Sequence, residues 1–159
     1  MHRTFAAIAV VVALMPLSAR ADWQYTKWGM TPEEAVKASN GAMKMLAAKD
    51  RRQADLTKTE KVAVGSFDDG ALRLEVEFLI DTASGGLVCV AYATKDPAQN
   101  GLLRQTLIKR YGLPMGASTH PSAAPVDLLG WGKPDTIDYQ AVPGTPASVI
   151  HCKSGGPMG

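Results

Sequence analysis

Between residues 72 and 81 the chain alternates almost strictly. Leu72, Leu74, Val76, Phe78 and Ile80 are apolar, and Arg73, Glu75, Glu77 and Asp81 are charged; Leu79 alone spoils the polar set. A period of two is that of a β-strand with one face buried and the other wet. The run KVAVGSF lies ahead of it, across Asp68-Asp69-Gly70, which is a hairpin turn signal. After a turn at 82–86, LVCVAYA is apolar on both faces, as expected of a central strand or one covered on both sides. The pattern predicts a β-meander.

Two segments carry helix-start chemistry instead. In WGMTPEEAVK, at 28–37, Thr31 is placed to cap a helix and Pro32 fits its first position. Glu34 completes a Thr-x-x-Glu capping box, and Met30 can staple onto Ala35. Glu33 and Glu34 lie where the helix dipole favours anions. The helix is expected to continue through Val36, Met43, Leu46 and Ala47, interrupted at Asn40-Gly41. The lead-in at 23–28 alternates like a short strand. The second start is Asp96-Pro97-Ala98-Gln99, or else Asn100-Gly101; Leu102, Leu103, Leu107 and Ile108 give an apolar stripe. Lys109 and Arg110 suit the last turn, Gly112 the left-handed stop, and Pro114 forbids continuation.

The remaining stretches are quieter. Residues 49–60 form a polar connector whose Lys49, Arg51 and Arg52 are offset by Asp50 and Asp55, a solvated surface more than an anion site. Residues 114–125 are rich in Pro, Ser, Ala and Gly and predict a long loop. VDLLGWGK, DTIDYQAV and ASVIHCK predict three short strands. With no internal repeat, the expectation is one α+β domain over 22–153. It is an antiparallel sheet of about five or six strands with two helices packed on one face, followed by a disordered tail at 154–159.

The N-terminus changes where this domain is expected to work. Arg3, an apolar run from Phe5 to Leu14, Pro16 and the small-x-small Ala19-Arg20-Ala21 have the layout of a secretory signal peptide over 1–21. The apolar run is shorter than the roughly 20 residues a membrane span needs, and no later stretch approaches that length. A periplasmic or secreted location follows, with cleavage near Ala21. Arg3 and Arg20 leave with the peptide, so 17 basic residues become 15 against 15 acidic ones, and the formal net charge falls from +2 to zero. A neutral chain lacks the footprint of a nucleic-acid binder.

In an oxidising compartment Cys89 and Cys152, the only two cysteines, favour one disulfide. The alternative, a reactive thiol or metal ligand, has no Cys-x-x-Cys or His spacing behind it. His120 and His151 survive cleavage. Neighbouring strand residues face opposite ways, so His151-Cys152 is a poor nucleophile–base dyad. No nucleophile elbow, zinc-protease, Walker or dinucleotide motif occurs. Glu75 and Glu77 share a strand face as a conceivable acid–base pair, but solvation explains them as well. No metal site or cofactor is expected. Among the aromatics, Trp131 between two glycines, a setting that fits tight packing as well as protrusion, is with Tyr139 and Trp28 a candidate partner-contacting residue, core packing being the alternative for each.

WGMTPEEA, YGLP and GWGKPDTIDY together resemble a group of small exported bacterial proteins of unassigned function. These have a Trp-Gly-Met before a capped helix, a meander, a Leu-rich helix ending Tyr-Gly-x-Pro, and a Trp-bearing strand. The order is also loosely similar, as fold analogy only, to small envelope-assembly lipoproteins and β-lactamase-inhibitor-type modules, although the lipid-attachment Cys is missing. The resemblance brings no catalytic residue. The leading expectation is a non-catalytic exported module binding an envelope protein or cell-wall component. A carrier of a small apolar ligand between helix 102–111 and the sheet is the alternative, and a small hydrolase using His120 or His151 is the third. Mass spectrometry of the exported protein is expected to show a chain starting at Asp22, about 2 Da lighter than its reduced form.

Overall fold

The computed structural model describes residues 22–54, 57–120 and 125–156, with only the backbone at Thr119 and His120. The expected signal peptide, Asp55 of the connector, the His120 side chain and residues 157–159 of the tail lie outside the described residues.

The first helix, α1 (Pro32–Ala38), starts as its sequence dictates. Thr31 Oγ1 accepts from the Glu34 amide at 3.3 Å, and Glu34 Oε2 accepts from the Thr31 amide at 2.9 Å. It ends earlier than expected. Asn40 (φ 49°) and Gly41 (φ 89°) are both left-handed, a pair no α-helix accommodates. The chain reverses there, and Met43–Met45 becomes strand β1 rather than a second helical stretch. In the polar connector a single 3₁₀ turn, Ala48–Asp50, precedes β2 (Arg52–Ala54).

The meander follows as β3 (Thr59–Asp68), β4 (Arg73–Asp81) and β5 (Leu87–Thr94). Its first turn is held by carboxylates: Asp68 Oδ1 accepts from the Gly70 amide and Asp69 Oδ1 from the Leu72 amide, both at 2.8 Å. Asp96 caps a 3₁₀ turn at Pro97–Gln99, and α2 (Asn100–Tyr111) begins directly after it. Gly112, at φ 83°, stops the helix. The expected loop at 114–125 contains a strand, β6 (Gly116–His120), before β7 (Val126–Trp131), β8 (Thr136–Ala141) and β9 (Ser148–Cys152).

All nine strands form one antiparallel sheet in the order β1-β3-β4-β5-β9-β8-β7-β6, with β2 also paired to β3. Nine replaces the five or six expected. The additions are β1, β2 and β6, which are short and lie at or beside the sheet edges. Three residues of β1 or β2 are too few to display a period, and the small, polar GASTH of β6 has none to display. At Gly65, opposite Met43, a Cβ would strike the Ala42 carbonyl oxygen, so the close approach of β1 to β3 requires glycine.

One side of the sheet is covered. Val76, Phe78, Val90, Tyr92, Val149, Ile137, Leu129 and Trp131 point to it and are buried in one cluster with Ala35 of α1 and Leu103 and Leu107 of α2. No helix among the described residues is long and apolar enough to cross a membrane.

The sheet consists of two antiparallel blocks, β1 to β5 and β6 to β9, that meet only where β5 pairs with β9. Cys89 lies directly opposite Cys152 in that pairing, and the two form a disulfide across a sequence separation of 63. Tying so long a loop restricts the unfolded chain by about 4 kcal/mol. Replacing both cysteines by Ala is expected to lower stability by about that amount, read from the midpoint and slope of urea unfolding.

Candidate functional site

The motif residues of the sequence converge on one buried point. Trp28 comes from the lead-in, Tyr111 and Gly112 from the end of α2, Trp131 from the end of β7, Asp135 from the turn into β8, and His151 from near the end of β9. Alternation places His151 on the same, core side of β9 as Val149, and its side chain is 0 % exposed. Its Nε2 lies 2.8 Å from Asp135 Oδ2, and the Asp135 side chain is 1 % exposed. Trp28 Nε1 donates to both oxygens of the same carboxylate, at 3.2 and 3.3 Å. The rings of Trp28 and Tyr111 stand edge-on to the imidazole, with centroids at 5.4 and 5.7 Å. Trp131 Nε1 donates to the Gly112 carbonyl at 2.9 Å, which fixes the helix end beside them.

The electrostatics follow from burial. Desolvation holds the His151 pKa below its ordinary value, against the opposing pull of the Asp135 hydrogen bond and charge. Burial also raises the Tyr111 phenol, with the Asp135 charge a further contributor. With His151 neutral and Nε2–H donating to Asp135, Nδ1 is a bare acceptor, and it has no partner. The pair has the composition of a catalytic His–Asp dyad but not its setting. Nothing reaches it from solvent, and Cys152 is tied to Cys89 and directed to the other side of the strand. Its chemistry is that of a polar bolt joining the lead-in, the β7–β8 turn and β9.

The uncovered side of the sheet carries a second arrangement. Register aligns two rows of side chains across seven strands. One runs Val64, Glu77, Ala91, Ile150, Asp138, Gly130, Gly116; the other runs Ser66, Glu75, Ala93, Ser148, Gln140, Leu128, Ser118. Six inter-strand steps make this about 29 Å long. Ala91, Ala93, Ser148 and Gly130 are small, with Ile150 and Gln140 standing between them, and the surface is hollowed around the small positions into a trough. A hollow of about 640 Å³ lies over β5 to β6, one of about 210 Å³ adjoins it over β4, β5 and β9, and one of about 590 Å³ continues towards β1. Glu75 and Asp138 are exposed with no ion-pair partner among the described residues, whereas Glu77 is held by Lys61 at 2.9 Å. Lys44 of β1 and Lys95, just after β5, line the last of these hollows together with Glu75 and Glu77.

The expected contact residues sit elsewhere. Trp131 and Tyr139 are each only 3 % exposed, so the expectation that they form a partner surface is corrected: alternation turns both toward the core. Trp28 is half-buried and its indole is occupied by Asp135. Asp135 drew no attention in the sequence because its partner lies 16 residues away beyond a strand. The available signal was a histidine at a core-facing position of an apolar strand, which requires a polar partner. Among the described residues, no three His, Cys, Asp or Glu side chains gather as a metal site.

No protein-family model, curated protein or solved structure matches the chain, and the resemblance drawn from its motifs gains nothing from them. The bolt makes its own prediction. Asp135→Ala strands the buried His151 donor and the half-buried Trp28 indole and is expected to cost about 2–4 kcal/mol, whereas Asp135→Asn, which keeps an acceptor, is expected to cost about 1–2 kcal/mol; urea unfolding followed by Trp fluorescence separates the two.

Proposed function

We propose that the protein is an exported, non-catalytic binding module of the cell envelope, whose uncovered sheet face holds an extended, basic segment of an envelope protein. The observation that carries this is the trough. Two registered rows, small at Ala91, Ala93, Ser148 and Gly130, give a site as long as a stretch of extended chain; Glu75, Glu77 and Asp138 line it, with Lys61 paired to Glu77 and with Lys44 and Lys95 beside the two glutamates at one end. Charge complementarity with these carboxylates favours a cationic occupant.

Neither row holds an aromatic side chain. Stacking platforms of the kind that hold planar or sugar rings are therefore missing from this surface, which favours a polypeptide over a cell-wall glycan. The alternative of an apolar cargo under α2 meets a packed interface. The space left there, between Leu103, Leu107 and Tyr92, is about 40 Å³, near the share of a single water. A hydrolase built on His151 lacks an open cleft, since the His151 and Asp135 side chains are 0 % and 1 % exposed.

The test is an NMR titration of labelled protein with a short alternating Lys/Val peptide, and with its Glu/Val counterpart. The basic peptide is expected to shift the amides of Ala91, Ala93, Gly130 and Ser148. The double charge reversal Glu75→Lys/Asp138→Lys is expected to weaken binding by about tenfold or more with the fold intact. Equal binding of the acidic peptide, or shifts confined to another surface, would sink the proposal.

A further inference from the structure

Two glycines on the uncovered face are not required by the fold. Gly116 of β6 and Gly130 of β7 stand directly across from each other, and Asp138 of β8 is the next residue in the same row. Neither glycine has a positive φ. A Cβ at Gly116 would meet nothing within 4 Å, and one at Gly130 would meet only Asp138 Oδ1, at 3.4 Å. Gly65 is the contrast, because there a Cβ would strike the Ala42 carbonyl oxygen. Glycine inside a strand weakens it through the backbone freedom it loses on folding. Two of them in register, where neither backbone conformation nor packing demands one, leave a slot running from Asp138 to the edge of the sheet. It is two strand spacings long, roughly 10 Å.

Charge sets this slot apart from the rest of the trough. It lies in the hollow of about 640 Å³, and Asp138 is the one charged residue lining that hollow, with Leu128 and Ile150 as apolar wall. The acids at the other end are answered from within the chain. Glu77 is held by Lys61 at 2.9 Å, and Lys44 and Lys95 line the hollow that contains Glu75 and Glu77. Lys44, Lys61 and Lys95 thus outnumber the two glutamates, whereas no cation among the described residues pairs with Asp138. The unmet negative charge of the trough is concentrated at Asp138, beside the two glycines.

We propose that this slot reads a single cationic residue of the bound segment, a lysine or arginine whose stem lies over Gly116 and Gly130 and whose charged head meets Asp138. The inference rests on the trough reading above and adds the position at which charge is recognised. An ammonium or guanidinium is the natural partner of an unpaired carboxylate. The unbranched stem of either side chain is apolar and thin, and it suits a floor that carries no side chains between apolar walls. Stem and terminal hydrogen bond together span the length of the slot. The head points inward from the edge of the sheet, so the backbone of the bound segment passes over β6 at this residue.

The experiment compares two short peptides, acetyl-Thr-Val-Thr-Lys-Thr-Val-Thr-amide and the same peptide with norleucine for lysine, which keeps the stem and removes the charge. Each is titrated by NMR into the intact mature protein. The lysine peptide is expected to bind about fivefold or more tighter than the norleucine peptide. Its ε-methylene protons are expected to show NOEs to the Hα protons of Gly116 and Gly130. Asp138→Asn is expected to bring the affinity ratio to about one, whereas Glu75→Gln keeps it. Gly116→Thr is expected to raise the midpoint of urea unfolding, because its Cβ has room, and to abolish the preference for lysine by filling the slot. A glycine serving the fold would give the opposite sign in stability, so a lowered midpoint overturns the inference. A ratio near one in the unmodified protein, with shifts still in the trough, overturns it and leaves the trough reading standing. Shifts confined to another surface, or no binding of either peptide, overturn both.

Discussion

The pairing of β5 with β9 is the contact on which the rest of the structure depends. Each block of the sheet is built from neighbours in sequence, but the two are joined by five registered pairs between residues 89–93 and 148–152. Both chemically distinctive features of the protein lie in consecutive pairs of that seam. Cys89 and Cys152 face one way, and one residue along, Val90 and His151 face the other. A covalent tie joins β5 to β9 on one side of the sheet, and on the other a buried polar tie joins β9 to the β7–β8 turn and the lead-in.

The polar tie explains why the chain keeps tryptophan in its motifs. A buried carboxylate is tolerated only when donors surround it. Asp135 obtains them from His151 and Trp28, while Trp131 uses its own N–H on the last carbonyl of the α2 stop. Each indole supplies apolar area and one donor, which is what a junction of lead-in, helix end and turn needs. The three motif segments are far apart in sequence and belong to one packed object. The stretch WGMTPEEAVK accordingly does two jobs, starting a helix with Thr31 and Glu34 and bolting the chain to a distant turn with Trp28.

What could be read from the sequence was local. The capping box, the Asp68-Asp69-Gly70 turn, the alternation of β4 and the Gly112 stop all act within a few residues, and each appears where its chemistry places it. β1 and β2 were hidden because three-residue strands exist only through their pairing with β3. β6 was hidden because its backbone bonds to β7, not its side chains, make it a strand. Trp131 was ambiguous for a different reason: flanking glycines fit tight packing and protrusion alike, and only the period of two, which also sets Leu129, turns it inward. The trough was illegible because it arises from register between strands distant in sequence, and a single strand shows only Glu75 and Glu77 on a wet face.

The seam also has a temporal side. β9 is the last strand of the described chain, yet it lies between β5 and β8 in the middle of the sheet. During synthesis or passage through a membrane pore, the first block emerges early with the flank of β5 unfilled. The sheet cannot close until the final strand arrives. Long-range closure of this kind is slow compared with hairpin formation. For a chain exported as proposed, that delay favours threading: the polypeptide stays loose while it is in transit and becomes committed to its shape only after its C-terminal segment has come through.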